Sequence, residues 1–162
     1  MGGCLVMRAA AFEPRVNRVV AYDVYPDALD TTLRQVKPVQ RSLLKILLKL
    51  RAAPVVNAMA RRVAKKSPIA QWGIEQGMHV TGTSSPYEYF KNTKQFITAD
   101  VSALIKQDVL LLAGSEDHLV PMAHFYQQIK TLKNARSITA RLFTKRDNAQ
   151  SHCQVGNYRL AL

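Results

Sequence analysis

Apolar and polar positions divide the chain into three zones. A small-residue helical pattern over residues 2–12 is followed by Arg18–Tyr22, a nearly continuous apolar run typical of a strand buried on both faces. Residues 106–162 repeat this alternation, with strands predicted at 108–113 and 137–143 and an amphipathic helix at 122–132 between them. A last helix is predicted from Gln154 to the end of the chain. Buried strands alternating with helices favour an α/β fold with a parallel sheet.

The middle zone, residues 27–105, carries a helical pattern throughout. Ser42–Leu50 places charged residues at intervals along an apolar helix. Ser67 before Pro68, and either Ser84 or Ser85 before Pro86, are helix-start signals. Asp100 is a candidate cap for a short final helix that ends at Ile105. Because no strand pattern interrupts this zone, we expect residues 27–105 to form an all-helical cap, or lid. It would be inserted into an α/β core built from residues 1–26 and 106–162.

Length and composition fit one domain with an insertion. The 162 residues are 48% hydrophobic and 21% charged, which is an ordinary globular balance. Cys4 and Cys153 are too few for a disulfide framework and lack the spacing of a zinc motif, so neither a cofactor nor a metal is expected. No apolar stretch approaches the ~20 residues that span a bilayer, and no signal peptide is recognisable. These features predict a cytoplasmic location.

The charge balance is strongly basic. Lysine and arginine number 23 against 11 acidic residues, giving a net charge of +12, which favours anionic partners. Much of the excess lies between Arg41 and Lys66 among apolar residues, and no helix-turn-helix, zinc-finger or RNP motif accompanies it. A solvated helical face explains this pattern better than a nucleic-acid or membrane partner does. Binding of nucleic acid or a membrane surface by residues 41–66 stays a distant alternative.

Candidate chemistry follows two of the predicted strands. Gly114–Pro121 comes directly after one strand, and Ser151–Gln154 follows the next strand after a polar loop. The carboxyl ends of parallel strands meet at one edge of a sheet, so an acid at Asp117 and a base at His152 could form a catalytic pair. The alternative is structural: Asp117 would cap a turn and His152 would cap a helix.

Both segments resemble those of the α/β-hydrolases. Gly114–Pro121 is similar to the loop that carries the triad acid, and Ser151–Asn157 to the catalytic histidine segment, of the branch related to dipeptidyl aminopeptidases and acylaminoacyl peptidases. Met1–Leu5 and the Arg8–Arg15 stretch look like the helix after the nucleophile elbow. The resemblance implies a partial α/β-hydrolase fold of a Ser-His-Asp enzyme acting on an ester, amide, peptide or activated carbonyl. It further implies that His152 is the base and Asp117 the residue that orients it.

The nucleophile of that family is missing from the chain. Aligned with the G-x-S-x-G elbow, Met1 falls just after the serine, so Met1 and Gly2 would be a remnant of the oxyanion hole. The chain is therefore expected to be a carboxy-terminal portion that is inactive alone. Cys4 and Ser115 are interpreted as a buried thiol and a turn residue. Cys153 is expected to face away from the site if a helix begins there.

Four cap residues are candidates for a substrate pocket: Trp72, His79, Tyr87 and Phe90. The equally weighted alternative for the aromatic residues is that they form the cap's own core, and His79 fits a loop histidine better. His118 and His124 flank the acid loop and are interpreted as surface residues. An unpaired strand at the sheet edge would favour a homo-oligomer. The alternative function is a non-catalytic binding or interaction module derived from the same fold.

Overall fold

The computed structural model describes residues 1–34 and 36–160, which form two compact units. The core unit comprises residues 1–32 and the chain from Phe96 onward, and the helical unit comprises residues 33–95. The helical unit is shorter at both ends than the predicted insertion over residues 27–105. The reason is that Asp27 and Ile97 form an antiparallel bridge within the core unit, next to a hydrogen bond from Ala28 N–H to the Phe96 carbonyl at 3.0 Å.

The core unit contains a parallel sheet of three strands in the order β1-β2-β3. Val19 pairs with Val109 and Val109 with Ile138, and these pairs give the register of the sheet. The predicted α/β class is confirmed. The elements of this unit are α1 (Gly2–Phe12), β1 (Arg18–Tyr22), α2 (Ala28–Leu33, which ends one residue into the helical unit), β2 (Asp108–Gly114), α7 (Met122–Thr131) and β3 (Ser137–Phe143).

Alternate residues of β1 and β2 point into one apolar core. Val19, Ala21 and Leu111 are at most 1% exposed and pack with Met7 of α1 and Phe125 of α7. Burial of such side chains stabilises the fold by about 1.5–3 kcal/mol each. This packing fixes the carboxyl ends of the strands, where the polar residues of the candidate site lie.

The first turn of α1 lies against the end of β1. A Cβ atom on Gly3 would lie 2.8 Å from the Tyr22 carbonyl oxygen, which is closer than real Cβ contacts allow. Glycine therefore lets the amino end of α1 approach the backbone that leads into the segment after β1.

The helical unit contains α3 (Pro38–Lys49), α4 (Ala53–Ala64), α5 (Pro68–Thr81) and α6 (Pro86–Thr93). The predicted cap at Ser67 is confirmed, since its Oγ accepts from Ala70 N–H at 3.2 Å. Of the two serines predicted to begin the next helix, Ser85 is the cap, and its Oγ accepts from Glu88 N–H at 3.3 Å. The acidic residues of the helical unit are Glu75 and Glu88 alone, so this unit carries most of the net positive charge of the protein. Across the described residues, none of the helices combines the length and apolar composition needed to cross a bilayer.

Two of the predicted helices are wrong. Instead of a helix from Gln154, the described residues form short 3-10 turns over His152–Gln154 and Tyr158–Leu160; residues 161–162 lie outside the described residues. Cys153 and Gln154 adopt left-handed backbone conformations with φ of 53° and 50°, which an α-helix does not accommodate. The helix predicted from Asp100 to Ile105 is likewise a 3-10 turn, Ser102–Leu104.

Candidate active site

The carboxyl ends of all three strands contribute a polar residue to one cluster. Asp23 directly follows β1, Asp117 lies in the loop after β2, and His152 lies in the loop after β3. Because the strands are parallel, these three loops leave the sheet at the same edge. The sheet topology therefore brings Asp23 next to two residues that are more than 90 positions away from it in the sequence.

Asp117 and His152 are joined by a short hydrogen bond. His152 Nδ1 lies 2.7 Å from Asp117 Oδ2, within the hydrogen-bond range of about 2.6–3.2 Å expected for an orienting acid and its base. Asp117 Oδ1 accepts the backbone N–H groups of Leu119 at 2.7 Å and Val120 at 2.9 Å, and its side chain is 1% exposed. The His152 side chain is 30% exposed. The carboxylate is thus fixed and buried, while the ring it holds reaches solvent.

Backbone contacts hold the loop after β2 against the segment that precedes His152. Glu116 N–H donates to the Gln150 carbonyl at 2.9 Å, and a Cβ on Gly114 would lie 2.3 Å from that same oxygen. Glycine at position 114 is needed for this approach. The Glu116 side chain points to the surface, where it pairs with Lys145 at 3.0 Å, as expected for a bystander to Asp117.

Asp23 is a member of the cluster that the sequence analysis missed. Its side chain is 2% exposed, and its Oδ2 accepts the Cys153 N–H at 2.5 Å and lies 3.5 Å from His152 Nδ1. Its Oδ1 accepts from Gln154 Nε2 at 3.3 Å. The signal that could have found it is the one used for Asp117, a carboxylate placed directly after a buried strand. Asp23 holds the backbone that carries His152.

The segment after His152 is strained, and its first residue, Cys153, is exposed to solvent. Cys153 and Gln154 both have positive φ, and the Cys153 carbonyl accepts from Tyr22 Oη at 2.9 Å. Because no helix begins here, the expectation that Cys153 faces away is wrong, and the residue is exposed and borders the same cleft as His152. Donor atoms of Asp23, His152 and Cys153 lie within 4.8 Å of one another.

The environment moves the pKa values of the two acids in opposite directions. Burial works against ionisation of Asp117, but the hydrogen bonds from His152, Val120 and Leu119 outweigh it and lower the pKa of that carboxyl. Burial raises the pKa of Asp23 despite its two hydrogen bonds. The hydrogen bond to Asp117, aided by the charge of Asp23, raises the pKa of His152. A positive ring is therefore stabilised, which suits a group that accepts a proton during a reaction.

A cleft of about 330 Å³ opens beside His152. Met1, Gly2 and Gly3 at the amino end of α1 line it together with Asp23 and His152. The first N–H groups of a helix lack intrahelical acceptors, so this end of α1 offers donors to a ligand. The predicted oxyanion remnant at Met1 and Gly2 thus borders the same cleft as the predicted base.

The remaining nucleophile candidates are Cys4 and Ser115, and of the other histidines His118 lies beside His152, with ring centroids 6.3 Å apart. Cys4 is completely buried, and burial raises its pKa to about 11, which agrees with an inert thiol. Ser115 extends the strand pairing by donating its N–H to the Phe143 carbonyl at 2.8 Å. His118 is exposed, as expected. The interpretation of His124 as a surface residue is wrong, because it is 3% exposed within α7.

The four cap residues occupy different environments in the helical unit. Trp72 and His79 are exposed on α5, and Tyr87 is half-buried, with its N–H bonded to Asn57 Oδ1 at 2.8 Å. Phe90 is 6% exposed and packs on Tyr89 with ring centroids 5.0 Å apart. Phe90 thus belongs to the interior of its own unit. A role for the four residues in a substrate pocket stays a prediction.

Comparison with known proteins gives a fold but no sequence relative. No protein-family model matches the chain, and no curated protein matches it in sequence. Its structure is similar to that of 2,6-dihydroxy-pseudo-oxynicotine hydrolase, with a TM-score of 0.57 and 15% identity. It is also similar to acetyl xylan esterase 1 from Thermoanaerobacterium sp., with a TM-score of 0.52 and 16% identity. The chain has a partial α/β-hydrolase fold.

The matches to these α/β-hydrolase-fold structures cover nearly all of this chain but less than half of each solved chain. They cover 97% and 99% of this chain but 34% and 41% of the two solved chains. The chain therefore spans well under half the length of the structures it resembles. At such low identity the likeness establishes the fold, and activity and substrate are a separate question.

Proposed function

We propose that this chain supplies the acid and the base of a Ser-His-Asp hydrolase and that it is a carboxy-terminal portion of that enzyme. The observation that carries the proposal is the 2.7 Å hydrogen bond between His152 Nδ1 and the buried Asp117 carboxylate, beside a cleft bordered by the amino end of α1. The substrate class is an ester, an amide or peptide, or an activated carbonyl. The branch related to dipeptidyl aminopeptidases and a cytoplasmic location are parts of the same proposal.

His152 is the residue that moves the proton. With Nδ1–H donated to Asp117, the opposite ring nitrogen is left to accept a proton from a serine hydroxyl as it attacks the substrate carbonyl. The ring then returns that proton to the leaving group. Asp117 keeps the ring in the required tautomer and stabilises its charged form. Asp23 contributes by positioning, because it binds the backbone N–H of Cys153, the residue next to the base.

The helical unit is proposed to act as a cap over the substrate. Its exposed Trp72 and His79 and its half-buried Tyr87 offer aromatic surface for a small-molecule ester or amide. Substitution of Trp72 by alanine in an active enzyme should raise KM more than it lowers kcat if the residue contacts substrate.

Two steps test the proposed activity. The first is to translate the nucleotides upstream of Met1: an in-frame G-x-S ending immediately before Met1 is expected. The second is to express that longer chain and measure hydrolysis of p-nitrophenyl acetate. Asp117→Asn should lower kcat by about 10⁴-fold, and His152→Ala by at least about as much. Glu116→Gln is the matched control, because this neighbouring acid pairs with Lys145 at the surface and should leave the rate unchanged.

A covalent probe distinguishes the proposal from its alternatives. A fluorophosphonate should label the longer chain at its serine and should not label the chain of 162 residues. Labelling of a residue within the 162-residue chain would overturn the assignment of the missing nucleophile. Absence of an upstream G-x-S would overturn the proposed fragment and favour a non-catalytic binding module.

Association through the sheet edge is a further part of the proposal. Within the described residues, β1 pairs with β2 alone, so one edge of β1 has no strand partner. Unpaired strand edges are templates for pairing with another chain. Size-exclusion chromatography with light scattering should detect dimers or larger species, and a compact monomer at high concentration would overturn this expectation.

A further inference from the structure

We propose that Asp23, His152 and Cys153 bind a zinc-class divalent cation, and that the cation takes His152 Nδ1 away from Asp117. The sequence analysis predicts no metal here because no ligand spacing motif is present. The folded chain nevertheless brings one oxygen, one nitrogen and one sulfur donor within 4.8 Å of one another. Metal binding itself does not depend on the proposed hydrolase function. Inhibition of hydrolysis by the metal does rest on the proposed hydrolase function.

The chemistry of the donor set points to zinc. Zinc binds cysteine, histidine and carboxylate ligands in tetrahedral sites, whereas calcium and magnesium require oxygen donors. A thiolate, a carboxylate and a neutral imidazole together carry two negative charges, which balance one divalent cation. Three protein ligands leave the fourth position open, as in zinc sites that admit a small molecule.

One of the three donor–donor distances already fits a common ion. Ligand bonds of about 2.0–2.3 Å put two tetrahedral zinc ligands roughly 3.4–3.8 Å apart. Asp23 Oδ2 lies 3.5 Å from His152 Nδ1, so these two atoms are already at that separation. Asp117 Oδ2 lies 2.7 Å from the same nitrogen, so it competes with the cation for Nδ1.

The surroundings supply the support that metal ligands require. The Asp23 carboxylate is oriented by hydrogen bonds from Cys153 N–H and Gln154 Nε2, which is how the ligands of metal sites are normally held. Gln154 Oε1 is buried and has no hydrogen-bond partner among the described residues.

The cleft provides an entry path. Asp23, His152 and Cys153 all line it, so a hydrated cation can reach the three donors from solvent. Binding releases the thiol proton of Cys153 to solvent, and the single ring proton of His152 moves from Nδ1 to Nε2, so that a neutral imidazole binds the cation through Nδ1. The metal-bound form and the Asp117–His152 hydrogen bond are therefore mutually exclusive. In the active enzyme, zinc would act as a reversible inhibitor by occupying the ring of the base.

The test uses the purified chain without a histidine tag. Co²⁺, which takes the place of zinc and is spectroscopically visible, should produce a thiolate-to-metal charge-transfer band, and added Zn²⁺ should abolish that band by displacement. Zn²⁺ should also protect Cys153 from iodoacetamide, with the modified residue identified by peptide mass spectrometry. Cys153→Ser should weaken Zn²⁺ binding by at least about tenfold.

Cys4→Ala is the matched control, because Cys4 is the other cysteine and is completely buried. This variant should keep both the cobalt band and the zinc affinity. Asp117→Asn should also keep them, since Asp117 competes for the ring nitrogen and is not required as a ligand. Absence of the charge-transfer band at millimolar Co²⁺ would overturn the proposal. Unchanged zinc affinity in Cys153→Ser, with a native circular dichroism spectrum, would overturn it equally.

Discussion

Two histidines of the core unit, His152 and His124, each lie beside an aspartate, but their environments differ sharply. His152 Nδ1 lies 2.7 Å from Asp117 Oδ2, the histidine is on a strained loop, and its side chain is 30% exposed. His124 Nε2 lies 3.7 Å from Asp30 Oδ2, the histidine is inside α7, and its side chain is 4% exposed. The Nδ1 atom of His124 is also 3.2 Å from Thr31 Oγ1.

The difference shows which pair is built for chemistry. Both ring nitrogens of His124 face partners inside the protein, so the ring joins α7 to α2 and no substrate can reach it. His152 has one nitrogen held by a buried carboxylate and a ring that borders an open cleft. A histidine near an acid is thus a weak signal by itself. Exposure of the second nitrogen separates a candidate base from a structural residue.

The largest effect should come from removing the buried ring. His124→Ala leaves a cavity and unpaired polar partners, so we expect the free energy of unfolding to fall by about 2–4 kcal/mol. His152→Ala removes a partly exposed ring and should cost about 1 kcal/mol or less. Urea denaturation of both variants measures this contrast. Equal losses in the free energy of unfolding would contradict this expectation, because they would show that His124 and His152 contribute equally to stability.

The second largest effect should come from a change at Gly114, and it should affect His152 but not His124. Gly114→Ala puts a Cβ against the Gln150 carbonyl and should destabilise the core by about 1–3 kcal/mol while displacing the His152 segment. Gly2→Ala is the matched control, since nothing lies within 4 Å of its added Cβ. In a ¹H–¹⁵N spectrum, Gly114→Ala should shift the imidazole signals of His152 and leave those of His124 in place. Shifts of both rings would contradict this expectation.

The smallest effect is on pH dependence, measured with a chelator present. The pKa of His152 is raised when folded, so this group's contribution to stability is complete below about pH 6.5 and is lost as pH rises through the folded pKa. The pKa of Asp117 is lowered, so its contribution exists above about pH 3.8 and is lost as pH falls. The pair therefore stabilises most between these two limits.

Asp117→Asn should accordingly cost more stability at about pH 5.5 than at about pH 8.5, as urea denaturation at both pH values would measure. Glu116→Gln, in the same loop, should change the unfolding free energy little at either pH. A constant cost for Asp117→Asn across this range would mean that the charge of His152 is not coupled to Asp117.

Sequence patterns predicted correctly the features that depend only on residues within one helix or strand. The run Arg18–Tyr22 became a strand because its apolar residues suit a buried parallel sheet, and Ser67 and Ser85 cap helices with their own side chains. The helix that the pattern predicted after His152 is not formed, and a turn takes its place. The turn there depends on Asp23, which is about 130 residues away in the sequence and binds the Cys153 N–H. No local propensity contains that contact.

The sequence by itself determined the three strands and the two loops that carry Asp117 and His152, because periodicity and turn chemistry are local properties. It also favoured a parallel sheet, since helices alternate with the strands. It further indicated that Asp117 and His152 could meet, since the carboxyl ends of parallel strands lie at one edge of a sheet. Only the tertiary structure decided that Asp23 joins them, that Cys153 borders the cleft and that His124 is buried. Burial and donor geometry depend on which distant segments pack together, and packing is a property of the whole fold.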